Sequence, residues 1–332
     1  MTSTTPTLTY LKSGLLALVA LGVLSNANDA QAARCLFVSS YHQGYAWSDG
    51  VERGLRSVLQ GKCEIKQFDM DTKRRKSEDE KQKMALEAKA LIESWQPDVV
   101  ITADDNAAKY LIKPYFRDHE VPFVFCGVNW TVKEYEFPYT NVTGMIEVAP
   151  IRPMLQRAAE IVPGARRAFY IGAHTLTEEK NVKRFQEATE SLGMEMEHAL
   201  VDTTEQWLAA YRRAQDHDFV IVGSKAGIND WDSARIQQGV LATVRRLSVT
   251  NHGWMMPYTI FGVTKVPEEH GEWAAKSALE ILDGTSPQDI RIVANRKRDF
   301  WINESILRAA ELTLSPRLMR KAKKVDGLPV QF

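Results

Sequence analysis

Cys35-Leu36-Phe37-Val38-Ser39-Ser40-Tyr41-His42-Gln43-Gly44-Tyr45-Ala46-Trp47 is the stretch from which the fold can be read. An apolar run over 35–40 predicts a strand, and Trp47, Val51, Leu55 and Val58 then recur at helical spacing, which predicts a helix directly after it. The same pattern returns downstream. Strands are expected over 63–70, 98–103, 122–128 and 143–148, with helices around 84–95 and 107–116 between them. Strands alternating with helices make a parallel sheet covered on both faces.

Beyond Pro150 and Pro153 a helix runs to Val162 and the alternation starts again, with strands expected over 167–172, 194–201 and 219–223 and helices over 176–192 and 204–216. The fold class is therefore α/β, with two doubly wound parallel-sheet lobes. The remaining elements, 254–263, 268–282 and 290–302, are too few for a third domain and are expected to cross back and complete both sheets. This assigns 33–148 plus about 256–284 to lobe I and 150–253 plus about 286–312 to lobe II. Residues 313–332 are left as a loosely held basic tail.

The chain has 332 residues, 44% of them apolar, and 42 basic residues balance 42 acidic ones, so no net field draws it to nucleic acid or an anionic membrane. Residues 1–32 stand apart. Lys12 precedes the apolar run Gly14 to Leu24, which is too short for the roughly 20 residues of a membrane-spanning helix. Ala30-Gln31-Ala32 then fits a signal-peptidase site before Ala33. A cleavable signal peptide and a periplasmic location are expected. Of the three cysteines, Cys35 and Cys63 open neighbouring strands and are either disulfide-bonded or two buried thiols. The bond would be worth roughly 3 kcal/mol by loop closure. Cys126 is left as a small core residue.

Ligands of open α/β sheets bind outside the carboxyl ends of the strands. The first exit offers Tyr41, His42 and Tyr45, whose rings suit a flat or amphipathic solute. The third exit is Asp104-Asp105-Asn106, where one acid caps the helix and Asp105 or Asn106 faces the cleft. Asp105→Ala is then expected to weaken binding without lowering stability. The fourth exit adds Asn129 and Trp130. In lobe II the exits supply His174, Ser224 and Lys225, with Trp231 as a lid.

Motifs of enzymes and cofactors fail. Val222 and Ala226 stand where G-x-S-x-G around Ser224 needs glycine. No P-loop, G-x-G-x-x-G or H-E-x-x-H pattern occurs, and the seven histidines are scattered, so no cofactor or metal is expected. The run Lys73-Arg74-Arg75-Lys76 leads into Glu78, Asp79 and Glu80 and reads as a solvated helix start.

SSYHQGYAWSDGVERGL (39–55), ADDNAAKYLIKPYF (103–116), PFVFCGVNW (122–130) and NVTGMIEV (141–148) resemble the uncharacterised ABC-transporter substrate-binding family of periplasmic solute-binding proteins. WMMPYTIFGVTK (254–265), EEHGEWAAKSALEILDG (268–284) and FWINESILRAAEL (300–312) extend the resemblance over nearly the whole exported chain. It implies a class I periplasmic binding protein fold, with three crossovers, a hinge and a ligand cleft between the lobes. It also implies a small-molecule ligand and an ABC permease as partner, aromatic amino-acid uptake being associated with related members. Similar domains form the sensing part of membrane histidine kinases, which makes a ligand sensor the alternative role. An exported hydrolase using Ser224 and His174 is the third.

Overall fold

The computed structural model describes residues 1–3 and 32–325. The expected signal peptide falls on 4–31 and lies outside the described residues. The account below concerns the unit Ala33–Phe332.

The first half of the unit alternates as its sequence does: β1 (Ala33–Ser39), α1 (Ala46–Leu59), β2 (Cys63–Asp69), α2 (Glu78–Trp95) and β3 (Val99–Ala103). α3 (Asp104–Ala107), a π-helical turn over Ala108–Ile112 and α4 (Lys113–Tyr115) follow, then β4 (Phe123–Asn129) and β5 (Val142–Glu147). The second half runs α5 (Ile151–Ile161), β6 (Arg167–Ala173), α6 (Leu176–Glu190), β7 (Glu195–Val201), α7 (Thr204–Ala214) and β8 (Phe219–Val222). It continues through α8 (Ser233–Thr243), β9 (Leu247–Thr250), a 3₁₀ turn over Gly253–Tyr258 and β10 (Phe261–Lys265). The last elements are α9 (Pro267–Leu282), β11 (Val293–Ala294), β12 (Arg298–Asn303), α10 (Glu304–Ala309), α11 (Pro316–Lys321) and β13 (Lys323–Val325).

Among the described residues the strands form a six-stranded sheet in the order β11-β5-β4-β3-β1-β2 and a seven-stranded sheet in the order β13-β12-β10-β9-β8-β6-β7. Pairing is parallel throughout except between β10 and β12. Alternation along β1 shows why the first sheet needs helices on both faces. Leu36 and Val38 pack in one apolar cluster beside Ala85 and Ala88 of α2, while Cys35 and Phe37 pack in another with Leu55 of α1 and Ala274 of α9. A strand buried on both sides must be apolar at successive positions, as Leu36, Phe37 and Val38 are. The second sheet is built around one core that includes Phe169, Ile171, Val220 and Trp207. Cys35 and Cys63 are disulfide-bonded, with Cα atoms 5.9 Å apart.

Three parts of the expected organisation are corrected. β10 pairs with β9 and β12 of the second sheet, so the chain crosses after Lys265 rather than near 256, because the edge of β9 takes a strand before α9 leaves to cover α1. β11 pairs with β5, so the return crossing follows Ala294 rather than about 285. The C-terminal residues are not loosely held as far as Val325: Leu314, Leu318, Ala322 and Val325 are buried, and β13 pairs with β12. Their apolar side chains are spaced among lysines and arginines, which hides them in a composition-based reading.

Candidate functional site

A cleft of about 860 Å³ lies between the two sheets and is lined from both. Its walls come from strand exits: β1, β3 and β4 on the first lobe, β8 and β9 with the start of α6 on the second. Ligands sit at such exits because the sheet holds the loops rigidly while their sequence stays free to vary.

Tyr41, Tyr45, Asn129 and Ser224 line this cleft, as their sequence positions suggested. Tyr41 and Tyr45 meet edge to face at 5.3 Å. Lys73 lays its ammonium 4.3 Å from the Tyr41 ring centroid and 5.1 Å from that of Tyr45. Burial lowers the pKa of Lys73, against the pull of Asp104. Ser224 donates its backbone N–H to Glu178 Oε2 at 2.9 Å, and its Oγ accepts from Ala226 N–H at 3.1 Å.

The other expected residues lie elsewhere. His42 stands 3.3 Å from Asp71, its ring 6.0 Å from that of Tyr45. Asp105 accepts from the Asn129 side chain at 2.6 Å and from the Tyr135 hydroxyl at 2.8 Å, so it positions Asn129 rather than facing the cleft. Asn106 donates to Thr72 Oγ1 at 2.7 Å. Trp130 has a left-handed φ of 61°, packs against the core of the second lobe and carries the Arg184 guanidinium 4.3 Å from its ring. His174 is exposed, between Glu179 and Asp202, and Ser224 Oγ points to its own loop, so the hydrolase pair is not assembled. Trp231 is no lid: its indole donates to Tyr258 at 3.2 Å and packs on Trp207 in the core, with the Lys225 ammonium 5.2 Å from its ring.

The acid that faces the cleft is Asp104. Neither acid caps the helix, for α3 has no side-chain cap. Asp104 has a φ of 70°, a strained conformation costing on the order of 1–3 kcal/mol in a non-glycine residue. That conformation turns its carboxylate inward. Gly127 makes room for it, since a Cβ there would stand 2.9 Å from Asp104 Oδ1. Asp104 is 2% exposed; Oδ1 accepts the Trp47 indole N–H at 2.9 Å, and Oδ2 has no hydrogen-bond partner among the described residues. Burial, reinforced by the neighbouring Asp105, pushes its pKa up to about 7.

Beside it, Lys265 ends β10 and pairs with Glu147 at the end of β5, joining two of the crossovers. Burial brings the Lys265 pKa down to about 8. Asn295 Oδ1 accepts from Val148 N–H at 2.7 Å, and Glu269 accepts from the N–H groups of Arg296 and Lys297 at 2.8 and 2.7 Å, so the third crossover is tied in as well. On the second lobe, buried Glu178 accepts from Tyr170 Oη at 2.6 Å and Asn181 Nδ2 at 2.8 Å. Burial raises its pKa against these donors. Gly223 is required above it: a Cβ there would lie 2.2 Å from Tyr170 Oη. Trp254 and Trp301 add aromatic surface, and Lys323, from the segment expected to be a loose tail, lines the cleft and pairs with Asp299 at 2.6 Å.

The sequence held signals for some of these. Asp104 was visible as half of an acidic pair, but only its φ chooses between the two. The 251–254 segment follows β9, whose Leu247-Ser248-Val249-Thr250 has no continuous apolar run to mark it as a buried strand.

A family described as ABC transporter substrate binding protein matches residues 37–326. No curated protein matches the chain in sequence. Among solved structures, the ligand-free, open form of a substrate binding protein with adhesive properties from Clostridium difficile aligns with a TM-score of 0.72 at 13% identity, covering 89% of this chain and 100% of that one. An ABC domain in complex with L-Trp from Streptococcus pneumonia aligns at 0.58 and 14% identity, covering 88% and 99%. A periplasmic ribose ABC transporter protein from Conexibacter woesei aligns at 0.56 and 14% identity, covering 88% and 99%. At these identities the likeness concerns the fold: two lobes of mostly parallel strands, as in class I periplasmic binding proteins.

Proposed function

Because the chain belongs to the ABC transporter substrate binding protein family, we propose that it captures a small molecule between its lobes in the periplasm and delivers it to a membrane ABC importer. The observation that carries this reading is Asp104 Oδ2: a buried carboxylate oxygen with no partner among the described residues, in a cleft walled by Tyr41, Tyr45 and Trp47. A buried acceptor left unpaired costs about 1–3 kcal/mol, more when charged, and a ligand donor removes that cost. The solute that suits these walls has a flat or amphipathic body and a hydrogen-bond donor, best a cationic one. A solute touching both lobes favours the closed state by its differential contacts, and closure turns about the crossovers tied by Glu147, Lys265 and Asn295. The role is binding rather than catalysis.

Isothermal titration of residues 33–332 against amino acids, amines, sugars, nucleosides and small carboxylates tests it. At least one class binds, and Asp104→Ala weakens that binding ten-fold or more. Absence of binding throughout removes the reading. Binding that Asp104→Ala leaves unchanged removes Asp104 from it.

A further inference from the structure

Two more polar atoms of cleft-lining residues lack a hydrogen-bond partner among the described residues, and both lie on the lobe opposite Asp104: Asn251 Oδ1 and His252 Nε2. They follow directly on β9, an inner strand of the second sheet between β8 and β10. Asn251 is only 8% exposed. Such orphaned groups are rare in native structures and call for a specific account. The surroundings give one. Trp254, 47% exposed, lays its ring 4.6 Å from that of His252 at an interplanar angle of 31°, so a half-exposed apolar wall stands beside the imidazole. Burial pushes the His252 pKa down to about 4, so the imidazole is neutral at pH 7. A neutral imidazole and a carboxamide offer both donors and acceptors, whichever way the amide is turned, and carry no charge.

We propose that Asn251 and His252 form a second polar subsite that takes an uncharged hydrogen-bonding group, of the hydroxyl kind, at the end of the solute remote from Asp104. A hydroxyl donates to one of the two side chains while accepting from the other. An ionised group finds no opposite charge on either. This rests on the solute-binding reading and narrows it to solutes with a donor at one end, a flat body and a hydroxyl or amide-like group at the other. Sites built to bond a hydroxyl reject the analogue lacking it, because their own buried groups are then left unpaired.

The experiment uses matched pairs differing by one distal hydroxyl: tyrosine and phenylalanine, tyramine and phenethylamine, serotonin and tryptamine, together with sugars and their deoxy analogues. Thermal shift finds the pair that binds the wild-type protein, and calorimetry gives both dissociation constants. The hydroxylated member binds at least ten-fold more tightly. Asn251→Ala and His252→Phe each erase most of that ratio by weakening the hydroxylated member alone, and His252→Gln keeps part of it. The unliganded melting temperature of each variant is recorded, and Asn251→Ser replaces any variant that does not fold. An unchanged ratio means that the two atoms hold ordered water only and overturns the proposal, as does equal weakening of both members. If none of the pairs binds the wild-type protein, this proposal falls, while the solute-binding reading stands or falls with the wider titration above; binding without a hydroxyl preference removes the subsite alone.

Discussion

Trp47 donates its indole N–H to Asp104 Oδ1 at 2.9 Å, while its ring carries the Lys265 ammonium 5.0 Å from the centroid and meets the His270 ring at 5.2 Å. One side chain from the start of α1 thus touches the buried acid of the cleft and the lysine at the second crossover. The acid that would receive a ligand is therefore one residue away from the pivot about which the lobes would close.

Asp104 makes the ligand-free protein less stable as pH rises. Its carboxyl has a folded-state pKa of about 7 against an ordinary 3.8, so the folded chain holds the proton more tightly than the unfolded one. Stability from this group is fully present below about pH 4 and is lost by about pH 7, a change of order 4 kcal/mol. Asp104→Asn removes this fall, and Trp47→Phe, which takes away a donor to the carboxylate, shifts it to higher pH. Chemical denaturation between pH 4 and pH 8 measures all three proteins. Parallel curves for wild type and Asp104→Asn would refute it.

Lys265→Met leaves Glu147 buried without its cation and destabilises the protein by about 3 kcal/mol. Glu147→Gln with Lys265→Met recovers most of that loss, because no unpaired charge is then left buried. A double-mutant cycle by urea denaturation reads the difference.

Asp105→Ala lowers stability, by about 2 kcal/mol, since Tyr135 and Asn129 both lose their acceptor. The sequence alone suggested the opposite, a loss of affinity at unchanged stability. Melting temperature and calorimetry on one preparation distinguish the two.

Replacing Cys35 and Cys63 by serine opens a loop of 28 residues and costs about 3 kcal/mol in the chain-entropy account. Cys126→Ser, at a fully buried position, costs stability by a different route, by burying a hydroxyl. Denaturation with and without reductant separates them: reductant lowers the stability of the wild type and not of the double variant.

Periodicity carried the architecture. Runs such as Leu36-Phe37-Val38 and Val99-Val100-Ile101, apolar on both faces and followed by helical spacing, leave few arrangements besides a covered parallel sheet, and their repetition after Pro150 made the second lobe legible. Local chemistry at the exits was legible too, in Tyr41, Tyr45, Asn129 and Ser224. Where the chain crosses was not: β10 and β11 are short, and an apolar strand of five or two residues carries no mark of which sheet it will join.

The sequence by itself determined the two α/β lobes, the exits that could hold a ligand and the cysteines able to pair, because strand and helix periods and residue types are local properties. Only the tertiary structure decided that Asp104 rather than Asp105 faces the cleft, that Lys265 meets Glu147 and that Asn251, His252 and Lys323 line the cleft. Asp104 depends on a backbone dihedral, Lys265 and Lys323 on partners more than 20 residues away, and Asn251 and His252 on the packing that brings the exit of β9 to the cleft; none of these is written in the spacing of nearby side chains.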